Sequence, residues 1–173
     1  MENEPHQLAE EGKRAFAAAR YDEAARLFAD AARGYSLGRD GLHAAEMNNN
    51  RSVALLKNNQ PQESLDAALG TDKVFEAASD AMRQGMALGN QAAALDALGR
   101  ADEALALYER SAGLFDAANE KEMRSIVLKS IAAIKLKQGK LNEAGFEMLG
   151  ALGATPKPTF FQRILKFFLR LKK

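Results

Sequence analysis

A four-residue signature recurs every 40 residues and constrains the fold more than any other feature of the chain. Tyr21-Asp22-Glu23-Ala24 is followed by Pro61-Gln62-Glu63-Ser64, Ala101-Asp102-Glu103-Ala104 and Leu141-Asn142-Glu143-Ala144. The likeness extends to either side. Twelve residues before the last member of each tetrad stands a small residue: Gly12, Ser52, Ala92 and Ala132. Seven residues after it stands another: Ala31, Thr71, Ser111 and Ala151. Four after it come Phe28, Ala68, Tyr108 and Met148, and eleven after it Tyr35, Phe75 and Phe115 in the first three repeats. A fixed period of this length marks stacked units, none of which can bury its apolar face alone. Small residues at fixed places let two helices approach closely, and large ones fill the gaps between them.

The runs between these landmarks are rich in Ala, Leu, Glu and Arg at helical spacing. Strict alternation is absent, which argues for helices and against strands. Glu23, Glu63, Glu103 and Glu143 fall in the first turn of each second helix, where a negative charge meets the positive end of the helix dipole. Before the tetrads stand Ala19-Arg20, Asn59-Gln60, Gly99-Arg100 and Gly139-Lys140. Gly and Asn take the left-handed backbone that ends a helix at low cost. The sequence therefore predicts helices over 5–19, 21–37, 41–58, 61–77, 80–98, 101–117, 120–138 and 141–152. Gly85, Gly89 and Gly113 weaken two of these locally, since Gly costs about 1 kcal/mol against Ala inside a helix.

With these residues in hand, the chain resembles the tetratricopeptide repeat family over about residues 5–152. That family's three recurring small residues fall here on the Gly12, Ala24 and Ala31 series, and its large aromatic on Phe28 and Tyr108. The period is longer than the ordinary one, and the proline that usually ends the second helix is missing; both departures fit the extended 40-residue variety. The resemblance implies an all-α, right-handed superhelical solenoid of about four helix-turn-helix repeats, with the first helices lining a concave face that holds a protein or peptide. Transferred residue by residue, that face carries His6, Ala9, Lys13 and Ala17, then Glu46, Asn49, Asn50, Val53 and Lys57. Met86, Asn90, Ala93 and Ala97 follow, and then Ile126, Lys129, Ala133 and Lys137. Asn50 and Asn90 are equivalent residues one repeat apart. Their carboxamides can both donate and accept, so they could hold an extended peptide backbone, or equally bridge neighbouring helices. The family's clamp for chaperone C-termini finds Ala9, Lys13, Asn50, Met86 and Asn90 at its places. Only Asn50 matches, so that ligand is not expected.

The C-terminal stretch reads differently. Residues 153–158 hold Pro156 and Pro158 and predict a stiff linker. Beyond them, 159–173 predict a basic amphipathic helix. Arg163, Lys166 and Arg170 gather on one stripe with Gln162 and Lys173, opposite Phe160, Phe161, Ile164, Leu165, Phe167, Phe168 and Leu171. Fifteen residues give about 22 Å, too short to cross a bilayer but suited to lying on an anionic one. A partner's groove, or the exposed end of the solenoid itself, would also accept such a helix. Six of the chain's 24 basic residues lie in 155–173 with no acid, which leaves 18 against 23 acidic residues elsewhere, a net of −5. An acidic body does not suit nucleic acid.

Chemistry is sparse. The 173 residues include no Cys and only His6 and His43, so thiolate or multi-histidine metal sites are not expected, and neither is a cofactor. No nucleotide-binding, zinc-protease or nucleophile-elbow string occurs. No basic-apolar leader opens the chain, and no apolar run reaches the roughly 20 residues of a membrane span. The sequence thus predicts a cytoplasmic, non-catalytic adaptor, peripheral to the inner face of a membrane if the tail docks there. The alternatives are a structural or self-assembling module, homo-oligomeric, whose tail only caps the core, and an accessory subunit of an enzyme.

Overall fold

The structure, a computed structural model, describes residues 4–154. Among them are nine helices and no strand: α1 (Pro5–Ala17), α2 (Tyr21–Leu37), α3 (Gly41–Lys57), α4 (Pro61–Ala68), α5 (Thr71–Ala77), α6 (Ala81–Ala97), α7 (Ala101–Ala117), α8 (Lys121–Lys137) and α9 (Leu141–Ala154). They pack in chain order, α1 on α2, α2 on α3, and so on to α8 on α9, with the short α4 and α5 together taking one place between α3 and α6. The fold is an all-α helical repeat, with α1, α3, α6 and α8 as first helices and α2, α4–α5, α7 and α9 as second helices.

The turns repeat as strictly as the helices. Ala19, Arg39, Asn59, Ser79, Gly99, Asn119 and Gly139 all take positive φ, so a left-handed residue stands every 20 residues. At each turn the next residue's N–H reaches back to the carbonyl five residues before it: Arg20 to Ala15, Asp40 to Tyr35, Gln60 to Leu55, and so through Lys140 to Lys135, all at 2.8–2.9 Å. This closure satisfies carbonyls that a helix end would otherwise leave open. The first helices gain a second anchor from acids one repeat apart. The Asp40 carboxylate accepts the His43 backbone N–H, and that of Asp80 accepts the Arg83 N–H at 2.8 Å.

The recurring small residues lie where the helices touch. Ala24, Ser64 and Ala104 have 0% exposure and Ala144 has 2%. A methyl group added to Gly12 would come within 2.9 Å of the Phe28 ring, so glycine is what lets α1 and α2 close. Where serine replaces alanine, its hydroxyl finds a backbone carbonyl on the facing helix. The Ser64 Oγ donates to the Ser52 carbonyl at 2.8 Å, and that of Ser111 donates to Gly85 at 2.7 Å. In the last repeat the same two places meet with donor and acceptor exchanged, as Ser125 Oγ donates to the Ala151 carbonyl. A buried hydroxyl with such a partner escapes the cost of an unmet polar group. The core is one layer of side chains between helices, from Phe28, Met47 and Leu55 through Phe75 to Tyr108, Phe115, Ile131 and Ile134.

One predicted element is corrected. The single helix expected over 61–77 is broken at Leu69–Gly70 into α4 and α5, with Gly70 at φ +79°. The break frees the Ala68 carbonyl, which accepts from Thr71 Oγ1 at 2.7 Å and from Gln91 Nε2 of α6 at 3.1 Å. The buried Gln91 amide also donates to Asp72 Oδ1 at 3.0 Å. No residue is gained or lost, so Thr71 and Phe75 stay buried at their places in the repeat. Gly85, Gly89 and Gly113, by contrast, sit inside intact helices.

Candidate functional site

The first helices α1, α3 and α6 together line two adjoining clefts. The first, of about 320 Å³, is bounded by Lys13, Phe16 and Phe28 on one side and Glu46, Asn50 and Val53 on the other. The second, of about 430 Å³, runs between α3 and α6 and includes Glu46, Asn49, Asn50, Phe75, Arg83 and Met86. Glu46 and Asn50 belong to both, so the clefts form one groove across three repeats. The spacing dictates this. Glu46, Asn50, Val53 and Lys57 step by three or four residues and share one helix face. The same face of α6 carries Met86 and Asn90.

Six of the seventeen residues expected on the concave face meet there: Lys13, Glu46, Asn49, Asn50, Val53 and Met86. A seventh, Asn90, closes the seam beside it. Its Nδ2 donates to Asn49 Oδ1 at 2.9 Å, so this amide joins α6 to α3. Asn50 makes no side-chain hydrogen bond among the described residues and is half-buried where the clefts join. The adjacent asparagines thus divide the work: Asn49 is buried and braces the repeats, while Asn50 faces the groove. Three of the others lie outside the clefts. Lys57 and Lys129 are exposed on α3 and α8, and Lys137 Nζ lies 3.5 Å from Asp96 Oδ1. Ala9, expected on the same face, is buried in the core. The tail residues Phe160, Phe161, Arg163, Ile164, Leu165, Lys166, Phe167, Phe168, Arg170 and Leu171 lie outside the described residues.

The groove's charges are arranged in pairs. The Arg83 guanidinium lies 5.3 Å from the centre of the Phe75 ring, donates to Asp80 at 2.6 Å and reaches Glu46 at 3.4 Å. Asp80 is held below the ordinary aspartate range, first by the Arg83 backbone N–H and then by its guanidinium, and Arg83 is raised in turn by Asp80. Lys13 is raised by its bond to Glu10, with burial opposing and Glu46 assisting. The floor is therefore apolar (Phe16, Phe28, Phe75, Met86), and its rim carries Lys13, Glu46 and Arg83. Asp80, Arg83 and Phe75 were missed as groove residues in the sequence. The signal was present, since Asp40 and Asp80 stand 40 residues apart at the starts of predicted helices.

No family model and no curated protein matches the chain. Its groove must be read from its own chemistry. Among the described residues no three metal-ligating side chains come together, and no helix is long and apolar enough to cross a membrane. The buried titratable side chains are tied to neighbours. Lys135 pairs with Glu147 at 3.0 Å and Glu143 at 3.6 Å, and the Glu147 bond raises it above the ordinary lysine range.

Proposed function

We propose that the chain is a cytoplasmic, non-catalytic adaptor of the tetratricopeptide kind, which holds an extended peptide in the groove of α1, α3 and α6. The half-buried Asn50 carboxamide, unbonded among the described residues at the junction of the two clefts, carries this reading. Such a group can donate to one backbone carbonyl and accept from one backbone N–H of a bound strand. The apolar floor accepts alternate side chains of that strand, and Lys13, Glu46 and Arg83 discriminate among charges.

Selection from a random peptide library on the full chain tests it. Peptides enriched by the wild type should bind Asn50→Ala at least about tenfold more weakly, the worth of one or two hydrogen bonds. The variant should melt at the same temperature, because Asn50 braces nothing. Equal affinity for Asn50→Ala would refute the reading.

The α4–α5 break favours one other role, self-assembly. Leu69 is 59% exposed there and, with Val74, lines a cleft of about 330 Å³ beside Ala44 and Ala45. A mass that grows with concentration in sedimentation, and is lost in Leu69→Ser, would identify this face as the contact between copies.

A further inference from the structure

Among the described residues, the charged side chains that line the two clefts are Lys13, Glu46, Asp80 and Arg83. Three of them have a close partner of opposite charge three residues away. Lys13 Nζ donates to Glu10 at 2.8 Å, and Arg83 Nε donates to Asp80 at 2.6 Å. Such short contacts mark a full charge-assisted bond. Glu46 has no partner of that kind among the described residues. Its ion pair there is with Arg83 Nη1 at 3.4 Å, a longer and weaker contact, and its other carboxylate oxygen has none. Arg83 is held from two other sides, by Asp80 and by the Phe75 ring beneath its guanidinium.

Glu46 is also placed to meet a ligand. Its side chain is 36% exposed, and it stands on α3, the middle of the three groove helices, where it borders both clefts. Asn50 lies one turn further along the same face. Apolar walls flank the carboxylate on either side. Phe16, Phe28 and Val53 line the cleft towards α1, and Phe75, Met82 and Met86 the cleft towards α6.

This order matches the pleat of an extended chain. Alternate side chains of a strand point the same way and stand about 6.6–6.8 Å apart, so three in succession span about 13 Å. A helix with its side chains is about 10–12 Å across. A strand lying over α3 therefore sets one side chain above Glu46 and lowers those two places before and after it into the two clefts. The charge at the central place follows from the pairing. An acidic residue would be repelled by Glu46, while the cations that would draw it are taken up by Glu10 and Asp80. A basic residue meets a carboxylate with an open oxygen, and its aliphatic stem can lie along the apolar walls.

We infer that the groove selects an extended peptide with a lysine or arginine above Glu46 and an apolar residue two places to either side of it. The inference names the ligand class of the groove proposed above and rests on that reading.

Three fluorescein-labelled peptides test it on the full chain: acetyl-Ser-Leu-Ser-Arg-Ser-Leu-Ser and the same sequence with Gln or Glu at the centre. In anisotropy titrations the wild type should bind the Arg peptide about tenfold more tightly than the Gln peptide, the worth of one charge-assisted bond. Raising the salt should narrow that gap. Glu46→Gln should remove the preference and leave the affinity for the Gln peptide unchanged. Its Tm should stay within about 2 °C of the wild type, because a long and partly exposed ion pair adds little stability. Glu46→Lys should reverse the preference in favour of the Glu peptide. Equal binding of the Arg and Gln peptides by the wild type would overturn the inference. So would tighter binding of the Glu peptide, which would make Lys13 and Arg83 the receptors of an acidic ligand. Absence of binding by any of the three would overturn it as well, whether a second copy or residues 155–173 fill the groove instead. Failure of the groove reading itself is seen separately: library peptides lost in Asn50→Ala but carrying no basic residue would leave the groove standing and remove only the charge selection.

Discussion

The seven left-handed turn residues form a natural series of one backbone conformation with different side chains. Ala19, Arg39 and Ser79 hold φ of 56–60°, a region that glycine occupies freely and other residues do not. The left-handed conformation costs a residue with a Cβ roughly 1–2 kcal/mol. Replacing it by glycine removes that cost but adds about 0.5–1 kcal/mol of lost chain entropy. Each of Ala19→Gly, Arg39→Gly and Ser79→Gly should therefore stabilise the fold by about 0.5–1 kcal/mol. All three sites are exposed and stand on separate turns at least 20 residues apart, so their effects should add. The triple variant should gain about 1.5–3 kcal/mol, or roughly 4–10 °C in Tm for a chain of this size. The opposite change is equally clean. A Cβ at Gly99 or Gly139 would meet no atom within 4 Å, so Gly99→Ala and Gly139→Ala test the backbone alone and should each lose about 1 kcal/mol. Urea unfolding and thermal melts followed by circular dichroism read both directions. If Ala19→Gly lowers the Tm, or Gly99→Ala leaves it unmoved, the turns are not set by left-handed strain and the reasoning fails.

Two further expectations follow from individual contacts. Gly113 is an exposed glycine inside α7 with open space around it, so Gly113→Ala should raise stability by about 1 kcal/mol; the same change at Gly12 forces a methyl into the buried Phe28 ring and should lower it by about 1–2 kcal/mol in denaturant titration. Asp80→Ala removes the N-cap of α6 and should cost about 1 kcal/mol at neutral pH. Because the folded carboxyl titrates below its unfolded value, that contribution is present above the unfolded pKa and fades as pH falls through the folded one, so the Tm gap between wild type and variant should close below about pH 4.

Much of the groove was legible once the repeat resemblance supplied the face to look at, and Glu46, Asn50, Val53 and Met86 sit three or four residues apart or one repeat apart on it. What spacing does not resolve is which of two adjacent asparagines is used up. Asn49 and Asn50 differ by about 100° around α3, and only the way α6 lies against α3 brings the Asn90 amide to Asn49 and leaves Asn50 free of bonds within the described residues. The Arg83 site was hidden for a related reason. Its partners Glu46, Phe75 and Asp80 come from three separate segments, and nothing local ties the first of them to the others.

The chain's own order of residues determined the helical class, the number of units and the place of every 20-residue turn. These depend on small side chains, apolar spacing and backbone preference, all of which act within one helix pair. The division of the fourth helix was decided elsewhere. Gly70 permits a break and Thr71 Oγ1 meets the freed Ala68 carbonyl locally, but its second bond comes only from Gln91, 23 residues on. A polar group taken out of water needs a partner, and which partner is within reach is known only once the helices are stacked.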